Sequence, residues 1–114
     1  MHILITGGAG FLGRKLASAL LTRGSLAGAD GRARAIERIT LVDIAPAADL
    51  GDERMTSLAG DLGDPALLDR AFKGGIDGVF HLAAVVSGEA EANFDLGWRV
   101  NVDATRELLE RCRT

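Results

Sequence analysis

Short apolar runs alternate with longer mixed segments along the chain, a rhythm typical of strands and helices that follow one another in turn. The run His2–Thr6 is rich in β-branched residues and ends at glycines, which predicts a β-strand. Apolar residues then recur at helical spacing over Phe11–Arg23. The first part of the chain is therefore expected to form a strand, a tight turn and a helix.

The remaining pattern predicts three further strands and two further helices. The strands are expected over Ile39–Asp43, Met55–Ala59 and Ile76–Phe80. Helices are expected over 65–72, with Asp64 as the N-cap, and over about 96–111. Between the first helix and the second strand, the polar, glycine-punctuated residues 24–38 indicate a solvated excursion that carries no chemistry.

The alternation of elements indicates the α/β class with a parallel sheet. At 114 residues and 47% hydrophobic composition, the chain has enough apolar material for one core. We therefore expect a single domain over residues 1–114, built as a Rossmann-type doubly wound parallel sheet with the strand order 3-2-1-4.

Charge and apolar run lengths exclude several classes of partner. Thirteen basic and 16 acidic residues leave a net charge of −3, with no run of Lys or Arg, so neither nucleic acid nor an anionic membrane surface is an expected partner. The longest apolar stretches, Met1–Phe11 and Val79–Val86, are too short for a membrane-spanning helix. The N-terminal segment lacks the basic region of a signal peptide. The single Cys112 agrees with a reducing compartment, and we expect a cytoplasmic protein.

The segment Thr6–Gly13 lies between the first strand and the first helix and contains four glycines. It fits the dinucleotide fingerprint as Gly8-x-Gly10-x-x-Gly13 and a related variant as Gly7-x-x-Gly10-x-x-Gly13. Glycines let backbone N–H groups approach a pyrophosphate, and the helix N-terminus adds partial positive charge. The alternative is an ordinary turn before a glycine-rich helix start. The residues expected to bind cofactor here are Gly7, Gly10, Phe11, Leu12 and Gly13.

Asp43 ends the second predicted strand, where a carboxylate can accept hydrogen bonds from the adenosine ribose hydroxyls. It lies farther from the glycines than is usual, because residues 24–38 are inserted between them. A carboxylate also repels a 2′-phosphate, and no arginine follows it in Ile44 or Ala45. The sequence thus favours NAD over NADP, the alternative being that Asp43 only caps a loop.

Five segments, taken in chain order, resemble a known family. They are Thr6–Gly13, Asp43, Gly60–Leu62, His81–Ala84 and Asn101–Thr105. Together they resemble the extended short-chain dehydrogenases/reductases, the nucleotide-sugar epimerase/dehydratase superfamily. The match covers the whole chain. The resemblance implies an NAD-dependent oxidoreductase that acts on a sugar acid or a nucleotide sugar.

The resemblance also implies roles for residues outside the glycine turn. In that family the aspartate matched by Asp61 holds the adenine amino group, with the backbone of Leu62 beside it. The asparagine matched by Asn101 lies near the nicotinamide ribose. The middle of the cofactor is lined by the residues matched by Leu82, Ala83 and Ala84. From the residues alone, Asp61 could equally be a turn residue, His81 a satisfied histidine at a strand end, and Asn101 a surface helix position.

The segment Val85–Asp95 is similar to the corresponding loop of the D-erythronate dehydrogenase branch, which oxidises a four-carbon sugar acid at its second carbon. It is less like the usual epimerase loop. A Ser-Gly turn followed by acidic residues is also what a solvated loop before a helix would contain.

The family transfers hydride with a Tyr-x-x-x-Lys pair, in which tyrosine is the general acid/base and lysine lowers its pKa. This sequence contains no tyrosine. We therefore interpret the chain as the N-terminal, NAD-binding part of a longer parental enzyme, inactive by itself and without a catalytic residue of its own. The alternative is a catalytically inactive NAD-binding module or sensor. In the predicted strand order, the strand 76–80 is a free edge, so self-association into a homodimer through this strand and the neighbouring helix 98–112 is also expected. The alternative is that the loop 85–97 covers this edge.

Overall fold

The computed structural model of the protein describes residues 1–47, 51–83 and 102–113. A strand and a helix begin the chain, four strands follow, and a helix, a strand and a helix complete the described part. The elements are β1 (His2–Thr6), α1 (Phe11–Arg23), β2 (Ser25–Ala27), β3 (Ala33–Ala35), β4 (Arg38–Asp43), β5 (Met55–Ala59), α2 (Pro65–Ala71), β6 (Gly78–His81) and α3 (Ala104–Arg113).

The main sheet has four parallel strands in the order β5-β4-β1-β6. Counted along the chain, these four strands follow the order 3-2-1-4, which confirms the predicted Rossmann-type topology. In this register Thr6 lies opposite both Val42 and His81. The carboxyl ends of the three strands β4, β1 and β6 therefore meet at one edge, where open parallel α/β sheets bind their ligands.

Alternate residues of β1 face two separate apolar clusters, one on each side of the sheet. Ile3 and Ile5 pack with Ala17 and Leu20 of α1. Leu4, on the opposite face, packs with residues of both α2 and α3. These helical partners are Leu67, Leu68, Ala71, Ala104 and Leu108. Helices thus cover both faces of the sheet, as the doubly wound architecture requires.

The segment 24–38 differs in part from its predicted form. α1 ends at Arg23 and is capped by Gly24, whose N–H bonds the carbonyl of Leu20 and whose φ of 76° turns the chain out of the helix. The strands β2 and β3 then form a short antiparallel hairpin that the sequence pattern did not predict. β3 is exposed along its length, in agreement with a solvated excursion. Ile36, however, is buried at 3% exposure. Its N–H bonds the Gly24 carbonyl at 2.9 Å, so this bond joins the two ends of the segment.

The later elements follow the prediction with shifted boundaries. Asp64 caps α2 as expected, since its side chain accepts the Ala66 N–H at 3.0 Å. β6 begins and ends later than predicted, because its ladder with β1 runs from Gly78 to His81. The predicted start of the last helix, 96–101, lies outside the described residues. None of the described helices is long and apolar enough to cross a membrane.

Candidate functional site

The turn that joins β1 to α1 is fixed to the end of β4 by backbone hydrogen bonds. The N–H groups of Gly7 and Gly8 both donate to the carbonyl of Val42, at 2.8 and 3.2 Å. Gly10 N–H then donates to the Gly7 carbonyl at 3.1 Å. The turn is therefore held at the carboxyl edge of the sheet before any ligand is present.

Three of the four glycines in this turn are required by the fold itself. A Cβ at Gly7, where φ is +71°, would lie 2.9 Å from the Ala83 nitrogen. A Cβ at Gly8 would lie 2.6 Å from the Leu41 Cβ. At Gly13 it would lie 2.3 Å from the Gly7 carbonyl oxygen, so α1 packs directly on the turn. This close approach is the role that the sequence assigned to the last glycine.

Gly10 differs from the other three because a side chain there would be the least crowded. Its φ of −75° suits any residue, and a Cβ would meet only the Gly7 carbonyl oxygen, at 3.3 Å. Its position as the N-cap of α1 places it beside the open end of that helix. Packing within the fold therefore gives a weaker reason for glycine at Gly10 than at the other three positions.

The N-terminus of α1 is open to an anion. The first helical bond runs from Arg14 N–H to the Gly10 carbonyl, so the amides of residues 11–13 precede the helical ladder. No side chain caps this end, and the first turn contains no acidic residue. Phe11 and Leu12 are 72% and 67% exposed, and the Lys15 ammonium lies 4.6 Å from the Phe11 ring centroid. Free amides, the helix dipole and a nearby cation suit a pyrophosphate.

Asp43 stands beside this turn at the end of β4. One carboxylate oxygen accepts the Ala9 N–H at 2.9 Å, and the other accepts the Ile44 N–H at 2.7 Å. The carboxylate therefore does stabilise the loop, which is the alternative role that the sequence left open. Since a carboxylate has about four acceptor sites, it retains capacity for two hydroxyl donors. Asp43 is half-buried and Ile44 is 79% exposed, so the edge beside it is accessible.

Asp61 and Leu62 follow β5 in a tight turn that leads to α2. The Asp61 carboxylate accepts the Gly63 N–H at 2.8 Å. Gly60 N–H donates to the Asp43 carbonyl at 2.9 Å, so this turn lies next to the end of β4. Leu62 is only 7% exposed, and its side chain packs in the cluster below α2 and α3. A contact of Leu62 with a ligand would therefore use its backbone.

Leu82 and Ala83, which we call the 82–83 segment, continue from β6 across the turn. Leu82 N–H donates to the Thr6 carbonyl at 3.2 Å, and Ala83 N–H donates to the Thr6 hydroxyl oxygen at 3.1 Å. The segment therefore contacts Gly7 directly, with the Leu82 side chain 40% exposed. The predicted site residues Ala84 and Asn101 lie outside the described residues.

A hydrogen-bonded group below the 82–83 segment was not assigned from the sequence. His81 Nδ1 bonds the Thr6 hydroxyl at 2.6 Å, and Nε2 bonds the Thr105 hydroxyl at 2.8 Å. Burial lowers the pKa of His81 below 6.5, which favours the neutral ring. The hydroxyl residues Thr6 and Thr105 gave no signal of their own, and a satisfied histidine at a strand end was one of the interpretations left open for His81.

A separate recess lies at the opposite end of the sheet. It has a volume of about 530 Å³ and is lined by the start of β1 at His2 and by basic residues, among them Arg38, Arg70 and Lys73. It is remote from the glycine turn and from the strand ends, so we place the functional site at the carboxyl edge instead. Among the described residues, no group of three or more His, Cys, Asp and Glu side chains could hold a metal ion.

The parallel sheet, the pinned glycine turn and the open helix end define a Rossmann-type dinucleotide-binding domain. Residues 3–114 match the model of the NAD dependent epimerase/dehydratase family. The chain belongs to this family. Its fold class and the predicted family resemblance are thereby confirmed.

The comparisons with individual proteins extend this result. The chain is 58% identical over 113 residues to a D-erythronate dehydrogenase from Cupriavidus necator, covering 99% of the chain and 35% of that relative. A nucleoside-diphosphate-sugar epimerase from Agrobacterium tumefaciens superposes with a TM-score of 0.83 at 42% identity, covering 96% of the chain and 31% of that structure. A short-chain dehydrogenase/reductase superfamily protein from the same organism, solved with bound NAD, gives a TM-score of 0.72 at 34% identity, covering 96% and 28%. The chain thus spans about a third of the length of these relatives.

Proposed function

We propose that this chain is the NAD-binding part of an NAD-dependent dehydrogenase or epimerase. The pyrophosphate would lie over Gly10–Leu12 at the open end of α1. The observation that carries this proposal is Gly10, the least crowded glycine of the turn, which lies at the open N-terminus of α1. The NAD bound in the superposed reductase supports the choice of dinucleotide. The residues present fit such a group, because a diphosphate needs free amides without a competing side chain.

The cofactor would be NAD(H) in preference to NADP(H). Asp43 is held by two backbone N–H groups, so its carboxylate is fixed where the adenosine ribose would lie. A 2′-phosphate in that place would be repelled by the carboxylate. By the family resemblance, Asp61 and the Leu62 backbone would hold the adenine. The 82–83 segment, with Ala84, would line the middle of the cofactor, and Asn101 would lie near the nicotinamide ribose.

When bound, NAD supplies the hydride acceptor of the reaction. The described residues bind and orient it, and none of them is proposed to transfer the substrate proton. The Tyr-x-x-x-Lys pair that performs this step in the family would come from the rest of the parental enzyme, because the chain contains no tyrosine. We propose a sugar acid such as D-erythronate as the parental substrate, with a nucleotide sugar as the second candidate, in keeping with the two kinds of relative.

The alternative is an inactive NAD-binding module or sensor, which is favoured by the two buried apolar clusters that the described residues form on the two faces of the sheet. The parental reading frame discriminates between the two. A Tyr-x-x-x-Lys helix downstream of Thr114 would support the enzyme fragment, and an immediate stop would support the module. In either case we expect the isolated chain not to reduce NAD with D-erythronate above background, and turnover by a pure preparation would overturn this expectation.

Self-association is a further part of the proposal. Among the described residues, β6 pairs with β1 on one side only. Its other edge carries backbone groups that recruit a strand, and pairing with the same edge of a second copy would satisfy them. Sedimentation at micromolar concentration should show a concentration-dependent dimer, whereas an invariant monomer would contradict pairing at this edge. The expected location is cytoplasmic, in keeping with the single cysteine.

The decisive experiment compares two glycine substitutions by calorimetric titration with NAD(H). Gly10→Ala should leave the thermal midpoint close to wild type but weaken NAD(H) affinity by at least about tenfold, because its methyl group would occupy the diphosphate position. Gly28→Ala is the matched control, since the atoms nearest to its Cβ would belong to the flexible side chains of Arg34 and Asp30 in the hairpin. Equal affinity of the Gly10→Ala chain and the control would refute the proposed diphosphate site.

A further inference from the structure

The Thr6 side chain is a junction between three parts of the fold. It is fully buried at the end of β1, at 0% exposure. Its hydroxyl oxygen accepts the Ala83 N–H at 3.1 Å and bonds His81 Nδ1 at 2.6 Å. His81 Nε2 in turn bonds the Thr105 hydroxyl in the first turn of α3, at 2.8 Å. A continuous chain of hydrogen bonds therefore runs from α3 through His81 and Thr6 to the 82–83 segment.

The imidazole suits this position because it can satisfy both hydroxyls at once. With a proton on Nε2, the ring donates to Thr105 and accepts the Thr6 hydroxyl proton. With the proton on Nδ1, both directions reverse, and Thr6 still has a lone pair for the Ala83 N–H. The ring thus fixes the rotation of the Thr6 hydroxyl, and its loss would leave that buried oxygen with one partner fewer.

The bond from Ala83 to Thr6 has a direct consequence for the glycine turn. It holds the 82–83 segment close to Gly7, so that a Cβ added at Gly7 would lie 2.9 Å from the Ala83 nitrogen. The opposite end of the hydrogen-bonded chain is equally constrained. Ala104, next to Thr105, is buried at 3% exposure, so the start of α3 is anchored in the core.

We propose that His81 is a positioning residue that transmits the placement of α3, through Thr6, to the 82–83 segment and so sets the geometry of the cofactor site. The effect on NAD affinity rests on the proposed function. The effect on the 82–83 segment does not, because it follows from hydrogen bonds within the chain. His81 is not assigned a role in proton transfer to substrate.

Two isosteric substitutions separate the two halves of the imidazole. In His81→Asn the side-chain amide stands in place of Nδ1, so it can reach Thr6 but not Thr105. In His81→Gln the amide extends to the place of Nε2, so it can reach Thr105 but not Thr6. Each variant loses one hydrogen bond, and the two therefore serve as matched controls for a general loss of stability. Thr105→Val provides a third variant that lacks the hydroxyl partner of Nε2 and leaves His81 in place.

The readouts are hydrogen exchange of the Leu82 and Ala83 amides and calorimetric NAD affinity. Under our proposal, His81→Gln accelerates Ala83 exchange and weakens NAD binding by about three- to tenfold, the range expected for one net hydrogen bond. His81→Asn should change both quantities less than His81→Gln does, because its amide keeps the Thr6 bond but loses the anchor on α3. Thr105→Val should give an intermediate result, because the ring keeps Thr6 but loses its anchor on α3.

Equal losses in His81→Asn and His81→Gln would overturn the proposal, since they would indicate general destabilisation. Unchanged exchange at Ala83 in His81→Gln would overturn it as well. If wild type fails to bind NAD, the proposed function fails, and the exchange data alone still decide whether His81 positions the 82–83 segment. Thermal midpoints of the variants, measured alongside, confirm that each is folded under the conditions of the comparison.

Discussion

Gly13→Ala should destabilise the protein, although alanine is normally the better helix former. Gly13 lies in the first turn of α1, where the helix packs on the glycine turn. A Cβ there would lie 2.3 Å from the Gly7 carbonyl oxygen and 2.8 Å from the Gly8 Cα. Both neighbours are backbone atoms of a turn pinned to β4, so neither can rotate away as a side chain would.

The magnitude follows from the displacement that the methyl group demands. Non-bonded heavy atoms are most favourably placed at about 3.5 Å, so helix and turn would separate by about 1 Å. Overpacking of this kind costs about 1–3 kcal/mol. The exchange of glycine for alanine in a helix returns up to about 1 kcal/mol. Because the methyl group would meet two fixed backbone atoms, we place the overpacking cost in the upper part of its range and expect a net loss of about 1–2 kcal/mol, or about 5–15 °C in the thermal midpoint.

Thermal and urea denaturation followed by far-ultraviolet circular dichroism would measure this loss. Gly10→Ala is the internal control, because its Cβ meets a single atom at 3.3 Å and its φ is ordinary. We expect its loss of unfolding free energy to stay below about 0.5 kcal/mol, as for most substitutions away from special features. A Gly13→Ala protein as stable as wild type, or more stable, would refute the assignment of Gly13 to helix packing.

Three further predictions concern other parts of the fold. Asp43→Ala removes the acceptor of two backbone N–H groups and should lower the free energy of unfolding by about 1 kcal/mol. It should also reduce the preference for NAD over NADP. Calorimetry that shows tighter binding of NADP than of NAD by wild type would rule out the ribose role of Asp43. Burial lowers the pKa of both His2 and His81, so below pH 6.5 the unfolded chain binds more protons than the folded chain. The thermal midpoint should therefore fall as the pH is lowered below 6.5, and it should fall less steeply in His81→Asn. A thermal midpoint that does not change with pH would contradict this sign. Leu68 is 1% exposed, so Leu68→Ala should lower the free energy of unfolding in urea by about 2–5 kcal/mol. Leu109 is 63% exposed, so Leu109→Ala should change it by less than about 0.5 kcal/mol. Similar losses in the two variants would place Leu68 outside the core.

Local signals in the sequence predicted the parts of the structure that depend on near neighbours. The glycine turn was located because a β-branched strand, four glycines and an amphipathic helix follow each other within 22 residues, from His2 to Arg23. The cap of α2 was found because Asp64 precedes a proline at the helix start. The strand order followed from the topology typical of doubly wound sheets.

The features that were not predicted from the sequence depend mainly on residues that are distant along the chain. Thr6 and His81 are 75 residues apart and meet only because β1 and β6 pair in a particular register. The hairpin of β2 and β3 was missed because its short strands are rich in alanine and lack an alternating pattern. The sequence likewise could not show why each of the four positions in the turn is a glycine, because the clash of a Cβ at Gly8 depends on Leu41 from a neighbouring strand.

The most direct test of the account is to map NAD binding onto individual backbone amides of the chain by nuclear magnetic resonance. If the cofactor lies at the carboxyl edge, titration with NAD should shift the amides of Gly10–Gly13 and the 82–83 segment most strongly, and Gly10→Ala should abolish these shifts. The amides around the basic recess, such as His2 and Lys73, should change little. Shifts centred on that recess, or none at Gly10–Gly13 when NAD is saturating, would contradict the assignment of the glycine turn as the dinucleotide site.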